Sequence, residues 1–396
     1  MIDRDHWRDQ VHAAWAHRPI CWLQGVRRAG KTVLARSIAD ADYYDCELPS
    51  VRRELRDPEA FLDAHAGRRI VLDEIHRLDD PSELLKIAAD HYPETRVLAT
   101  GSSSLGARAK FRDTLAGRKS EVWLTPMTYA DTVAFGQPEL VHRMAHGGLP
   151  PFFLAQSPPE RDFQEWLDAY WAKDVQELFR LEKRGPFVRL FELLLADSGG
   201  IFEATRFARA CEISRQTVMN YLEVLEATFV MHVVRPFASN ASAEIVAAPR
   251  VYGFDTGFVA YHRGWSPLRH DDYGPLWEHL VLNEVHAARQ QRDVQYWRTK
   301  TGHEVDFVIA PRRAAPMVIE CKWSQDAFDP AGMLAFRRSY PQGENVLVAA
   351  DVKRASRRRI GGLEVRVVGL SQVAALVVEA LSRSGRSSLT VPKGVT

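Results

Sequence analysis

Residues 25–32 read Gly25-Val26-Arg27-Arg28-Ala29-Gly30-Lys31-Thr32, the complete pattern G-x-x-x-x-G-K-[ST] of a phosphate-binding loop. The flanking sequence suits that reading. Ile20-Cys21-Trp22-Leu23 before it is an apolar run long enough for a short buried strand, and Val33 to Ala39 after it has helix-compatible spacing. Gly25 and Gly30 let the backbone curl, so that the N–H groups from Val26 through Arg27, Arg28 and Ala29 to Thr32 and Val33 face a phosphate. The following helix adds the partial positive charge of its N-terminus. Lys31 is expected to reach the β- and γ-phosphates of ATP, and Thr32 to ligate Mg²⁺.

Working outward, Arg69-Ile70-Val71-Leu72-Asp73-Glu74 is an apolar strand that ends in two acids. Buried parallel strands read as such runs, and ligands gather at their carboxyl ends. Asp73 is expected to hold Mg²⁺ through water, and Glu74 to polarise the water that attacks the γ-phosphate. The alternative is that both acids cap a helix from Ile75. A third strand, Arg96 to Thr100, runs into Gly101-Ser102-Ser103-Ser104. Ser102 or Ser103 is the candidate for touching the attacking water or the γ-phosphate, and a plain Gly-Ser turn is the alternative.

These motifs are followed in order by Leu115-Ala116-Gly117-Arg118, Leu124-Thr125-Pro126-Met127-Thr128-Tyr129 and Gly147-Gly148-Leu149-Pro150. The set resembles the AAA-type ATPases of bacteria and archaea that carry a C-terminal domain of unknown function 4143. The resemblance implies an αβ nucleotide-hydrolysing core. It implies that Arg118 senses or stabilises the γ-phosphate, in cis or from a neighbouring subunit of a homo-oligomer, with Arg108 and Arg112 as weaker candidates. An arginine set against developing phosphoryl charge is worth about 10³–10⁵ in rate. A salt-bridged surface arginine is the alternative. Tyr252 to Gly257 resembles a further Y-x-x-D-x-G segment of that family.

The chain has 396 residues, which suits two or three domains. It is 46% hydrophobic and 26% charged, and 52 Lys+Arg against 51 Asp+Glu leave a net charge of +1, so any nucleic-acid surface must be local. The four cysteines are scattered, without metal-ligand spacing or a disulfide framework. The first residues lack the apolar core of a signal peptide, and no stretch approaches the roughly 18 apolar residues of a membrane span. A cytoplasmic protein without membrane association is the expectation.

An ATPase domain is expected over 1–150. Ser157-Pro158-Pro159 breaks the chain, and a helical domain is expected over 151–240. Its helices from Glu203 to Ala210 and from Ser214 to Ala227, then the β-prone run from Thr228, form a winged helix-turn-helix pattern. Ser214 is a natural N-cap, and Arg215, Gln216 and Asn220 would meet a DNA groove or phosphates. Simple domain packing is the other use of such a segment.

Over 241–382 the informative residues are Asp306 on an alternating strand, and Glu320 and Lys322, two apart on the next strand and so on one face. Asp306, thirteen residues, then Glu-x-Lys on adjoining strands is the PD-(D/E)xK nuclease arrangement. Asp306, Glu320 and the Cys321 carbonyl would supply hard oxygen ligands for Mg²⁺, Lys322 would orient water, and Glu284 on the preceding helix would complete the site. A structural Glu-Lys pair or an inactive nuclease fold is the alternative. Lys353 to Arg359 reads as a basic loop between strands, suited to a nucleic-acid backbone or to solvent. Residues 383–396 read as a flexible tail.

The expected architecture is α/β: a P-loop NTPase parallel-sheet core, a helical winged helix-turn-helix segment, and an α/β restriction-endonuclease-like domain. The expected function is a Mg²⁺-dependent ATPase acting on DNA. The rival is an ATP-controlled switch for a DNA or protein partner, with an inactive nuclease fold. A protein-directed ATPase is a third possibility.

Overall fold

A computed structural model describes residues 2–101, 114–157, 160–176, 179, 181, 183–238, 248–310 and 315–386. The chain divides into two compact units. The first comprises 1–139, 146–191 and 211–230, and the second 140–145, 192–210 and 231–396.

The first unit is built on a five-stranded sheet: β1 (Ile20–Gln24), β2 (Ala41–Asp45), β3 (Arg69–Asp73), β4 (Arg96–Thr100) and β5 (Lys119–Trp123), in the order β2-β3-β4-β1-β5. Every pairing is parallel. All five residues of the inner strand β1 are buried, as expected of a strand covered on both faces. The edge strand β2 is half-buried throughout. Trp22, Ile70, Leu72, Val97 and Ala99 pack with Phe61 and Leu85 from the covering helices. The parallel order brings the carboxyl ends of β1, β3 and β4 to one rim, where α/β sheets bind ligands.

The second unit is built on an eight-stranded mixed sheet: β6 (Met231–Pro236), β7 (Arg250–Gly253), β8 (Gln295–Arg298), β9 (Glu304–Ile309), β10 (Met317–Lys322), β11 (Asn345–Ala349), β12 (Ser356–Ile360) and β13 (Leu363–Val368). Their order is β12-β13-β11-β10-β9-β8-β6-β7. The helix Tyr273–Arg289 is buried on nearly every side, and its Trp277 indole donates to the Val348 carbonyl at 3.0 Å. Met333 and Phe336 of the helix Ala331–Ser339 pack on Val308 and Val318.

Several expectations change here. The β-prone run after residue 228 forms β6, which pairs antiparallel with β7, itself bridged at Arg250 to Ile201, and pairs at its far end with β8 of the second sheet. The two helices of the expected helix-turn-helix are present, Ala204–Cys211 grouped chiefly with the second unit and Arg215–Ala227 with the first. By compactness the chain falls into two units that both draw on its middle stretch. Local pattern showed helices and a strand; strand pairing decided where they belong. The helix expected from Glu160 changes to π geometry over Trp171–Gln176, and a short 3₁₀ turn, Ile75–Arg77, follows the two acids. Residues 353–359 are not a plain loop, since β12 begins at Ser356. The final helix continues to Arg386, past the expected start of the tail at 383.

Candidate functional site

Two sites emerge, one in each unit. In the first unit, residues 25–30 link β1 to the helix Lys31–Arg36. Gly25 has φ +148°, and a Cβ there would lie 2.3 Å from the Leu124 carbonyl oxygen. Gly30, at φ +99°, caps the helix in the left-handed region. Val26 and Ala29 point into the core, so only their backbone can face a ligand. Lys31, Thr32 and exposed Val33 line a cleft with Arg27, Arg28 and Glu74. The Lys31 ammonium donates to the carbonyls of Gly25 at 2.8 Å and Val26 at 3.2 Å. Burial lowers its pKa, against the pull of Glu74, Asp174 and Asp73.

Asp73 and Glu74 stand at the end of β3. Tyr43 donates to Asp73 Oδ2 at 2.6 Å, and the Thr100 hydroxyl donates to Asp73 Oδ1. Thr100 also accepts the Glu74 N–H at 3.1 Å. Glu74 is in the left-handed region, at φ +54°, and its carboxylate lies 3.1 Å from His76 Nδ1. Burial alone would raise the Glu74 pKa, but the His76 hydrogen bond and the charges of Lys31, His76 and Arg27 outweigh it and hold the carboxyl below its usual range. The site therefore sets an ionised carboxylate near a cation and the backbone amides of a phosphate loop.

The loop is braced from distant sequence. Buried Arg4 binds Asp131 through two 2.8 Å hydrogen bonds and donates to the Ala29 carbonyl at 2.9 Å. Trp7 and the Thr128 capping box hold the same carboxylate. On the other side Arg27 pairs with Asp174 at 3.0 Å, and its carbonyl accepts the Trp166 indole N–H at 3.0 Å. Tyr43, Thr100, Arg4, Asp131 and Asp174 were not legible as site residues: Arg4 and Asp131 are 127 positions apart. Arg118 binds Asp90 through two hydrogen bonds, of 2.7 and 3.0 Å, and does not line the cleft. Ser102, Ser103, Arg108 and Arg112 lie outside the described residues.

In the second unit, Asp306 and Glu320 come together on β9 and β10. Their antiparallel pairing ends at Ile319–Phe307. At the next position Asp306 Oδ2 accepts the Cys321 N–H at 2.8 Å, so a side chain replaces a ladder bond. Lys322 donates to Glu320 Oε1 at 2.7 Å, while buried Glu320 Oε2 has no hydrogen-bond partner among the described residues. Burial, then the charge of Asp306, raises the Glu320 carboxyl to about 8. Burial also raises Asp306, and the Asp306 and Glu320 charges hold Lys322 high against its own burial.

A helix acid that the expectation did not include, Glu278, interacts by charge with this group. Burial and the Asp306 charge raise Glu278 to about 8, and Tyr252 donates to it at 3.1 Å. Glu284 is buried on the same helix. Six helical residues separate the two acids, about 240° of rotation and 9 Å of rise, so only one can face the strand ends. Among the described residues no group of three His, Cys, Asp or Glu side chains forms a ready metal cage. The orphaned Glu320 oxygen and the crowded carboxyls nonetheless suit a hard cation with oxygen ligands.

Ser214 does cap its helix, accepting the Thr217 N–H at 3.0 Å. Arg215, Gln216 and Asn220 are exposed on that helix, with Gln216 donating to Asn220 at 2.9 Å. Asp255 caps the next helix through Gly257 and lies 3.7 Å from Arg143.

A family model described as an AAA domain matches residues 17–133, the stretch that contains β1 to β5 and the phosphate loop. The chain carries an AAA domain. Two further models match, a domain of unknown function 8612 over 137–269 and a domain of unknown function 4143 over 273–366. The boundary of the AAA domain at 133 leaves β6 and β7 to the middle model and β8 to β13 to the last. Uncharacterized protein Rv2008c of Mycobacterium tuberculosis is 29% identical over 321 residues, 78% of this chain and 71% of that protein. The same figures hold for uncharacterized protein Mb2031c of Mycobacterium bovis. Among solved structures, the Walker-type ATPase PABY2304 of Pyrococcus abyssi is 16% identical with a TM-score of 0.45, covering 66% of this chain and 96% of that one. The Aeropyrum pernix ORC1 protein, solved in complex with DNA, is 14% identical with a TM-score of 0.29, covering 67% and 93%. No helix among the described residues is long and apolar enough to cross a membrane.

Proposed function

We propose that the protein is a Mg²⁺-dependent ATPase whose nucleotide cycle controls the action of its C-terminal carboxylate site on DNA. The observation that carries the ATPase reading is Glu74, kept ionised at the end of β3 in the same cleft as Lys31 and Thr32. Backbone amides of the phosphate loop and Lys31 bind the phosphates. Thr32 and Asp73 would hold Mg²⁺, which offsets charge on the transferring phosphate. Glu74 orients the attacking water, and Thr100 fixes both acids by its paired hydrogen bonds. Arg118 serves a neighbouring subunit's nucleotide by leaving Asp90.

At the second site Asp306, Glu320 and the Cys321 carbonyl would hold the cation, with Glu278 beside them. A bound cation lowers the pKa of water and offsets charge on a scissile phosphate. Lys322 is ready to orient that water because its neighbours keep it charged. Arg215, Gln216 and Asn220 offer exposed donors to DNA in the first unit. Protein partners and a cytoplasmic setting belong to the same reading.

The test is an ATPase assay on the full chain with and without plasmid and branched DNA, scored alongside cleavage in Mg²⁺ and Mn²⁺. Cutting that disappears in Lys322→Ala supports the nuclease. A second reading, an ATP-controlled switch with an inactive nuclease fold, rests on the Lys322–Glu320 bond, which gives each group a charged partner without a metal. Tight DNA binding without cutting in either metal decides for it.

A further inference from the structure

Five of the seven residues from 353 to 359 are cationic, in a chain of net charge +1. Lys353 and Arg354 lie in the turn before β12, and Arg357, Arg358 and Arg359 on it; all five are exposed. Arg357 pairs with Glu364 at 2.7 Å. Arg358 and Arg359 make no ion pair among the described residues. β12 is the outermost strand, hydrogen-bonded on one side to β13 alone. One charge on an exposed edge is enough to discourage pairing with another chain. Five cations against one acid exceed that need, and they repel one another unless an anion lies along them.

Register links this edge to the carboxylate site. Glu320 stands opposite Leu347, Leu347 opposite Val367, and Val367 opposite Ser356. The row from the carboxylate to the start of the arginine strand is three strand spacings, about 14 Å. Directly paired residues share a face, so Arg358, two beyond Ser356, lies on the Glu320 face. Arg357 and Arg359 lie on the other, so the edge is positive on both sides.

We propose that Lys353, Arg354 and the arginines of β12 are the surface on which the second unit docks the phosphate backbone of duplex DNA, at an edge three strand spacings from Glu320. This rests on the DNA reading above. Contacts of this kind are independent of base sequence and are identified by salt dependence, since each neutralised phosphate contributes about 0.9 to the slope of log affinity against log salt.

The experiment is a fluorescence-anisotropy titration of the full chain with a labelled duplex of arbitrary sequence, at several salt concentrations between about 50 and 200 mM. Exchanging Arg358→Ala with Arg359→Ala is expected to reduce the slope by about 1.8, and Arg358→Lys with Arg359→Lys to retain it. If the wild-type chain binds the duplex and the alanine variant keeps the full slope, the edge is not the docking surface, while the DNA reading stands. If the wild-type chain binds no duplex at any salt, the DNA reading itself fails and this inference with it. Equal slope loss in the lysine and alanine variants also overturns it, because loss of charge is then not the cause.

Discussion

The two sites are electrostatic opposites. At the phosphate loop the cation is pushed toward neutrality by burial, while the carboxylate of Glu74 is held charged. At the β9–β10 site the carboxyls of Glu278 and Glu320 are pushed toward neutrality, while Lys322 is held charged. The first arrangement suits a ligand that brings its own negative charge and lies against amides and a lysine. The second suits a cation, which restores to crowded carboxyls the charge that burial disfavours. The same residue types, acids and a lysine, therefore prepare for ligands of opposite sign, according to what surrounds them.

This contrast can be broken most severely at Glu74. Glu74→Gln is expected to bind ATP normally and to lose about 10²–10⁴ in turnover, as when a proton-accepting group is removed. Unchanged phosphate release in a steady-state assay rejects the water-orienting role and leaves the cleft a binding site only. Lys31→Ala should weaken ATP binding by about a hundredfold through loss of charge-assisted hydrogen bonds. Calorimetry that finds retained affinity removes the anion-binding half of the contrast.

The second half is tested by pH. Metal ligands must be deprotonated, so a carboxyl raised to about 8 opposes cation binding in acid. Between pH 6 and 8 the ionised fraction of such a group rises by about fiftyfold, and Mn²⁺ affinity without nucleotide should rise with it. The sign also holds for stability. With folded-state values above the unfolded ones, these carboxyls favour the fold below about pH 4.5 and that contribution is lost as pH rises through about 8, unless a cation is bound. Mn²⁺ affinity that is flat with pH, measured by paramagnetic resonance, contradicts the electrostatics described. The smallest effect sharpens the assignment: Glu278→Gln should weaken Mn²⁺ by about tenfold, and Glu284→Gln should leave it unchanged. The reverse pattern restores Glu284.

The first site was legible because its chemistry is written in contiguous residues. Gly25, Gly30, Lys31 and Thr32 stand within one loop, and Asp73-Glu74 follow a strand whose apolar run is itself visible. What stayed hidden there acts across the fold: Tyr43 and Thr100 reach Asp73 from neighbouring strands, and Arg4 reaches the loop through Asp131. At the second site the strand acids were readable by alternation, but the helix acid was not. Glu278 and Glu284 sit in one helical pattern, and only packing selects which faces the strand ends. β12 was misread as a loop because its arginines show no apolar alternation; β13 beside it makes it a strand.

The sequence by itself determined the phosphate loop, the two acids after it and the strand acids of the second unit, because each depends on backbone conformation or on side-chain spacing within one element. The tertiary structure decided that the run after residue 228 completes a second sheet, that Glu278 joins the carboxylates, and that Thr100 ties Asp73 to Glu74. Those outcomes depend on hydrogen bonds and charges between segments far apart in the chain, whose relative placement no local pattern specifies.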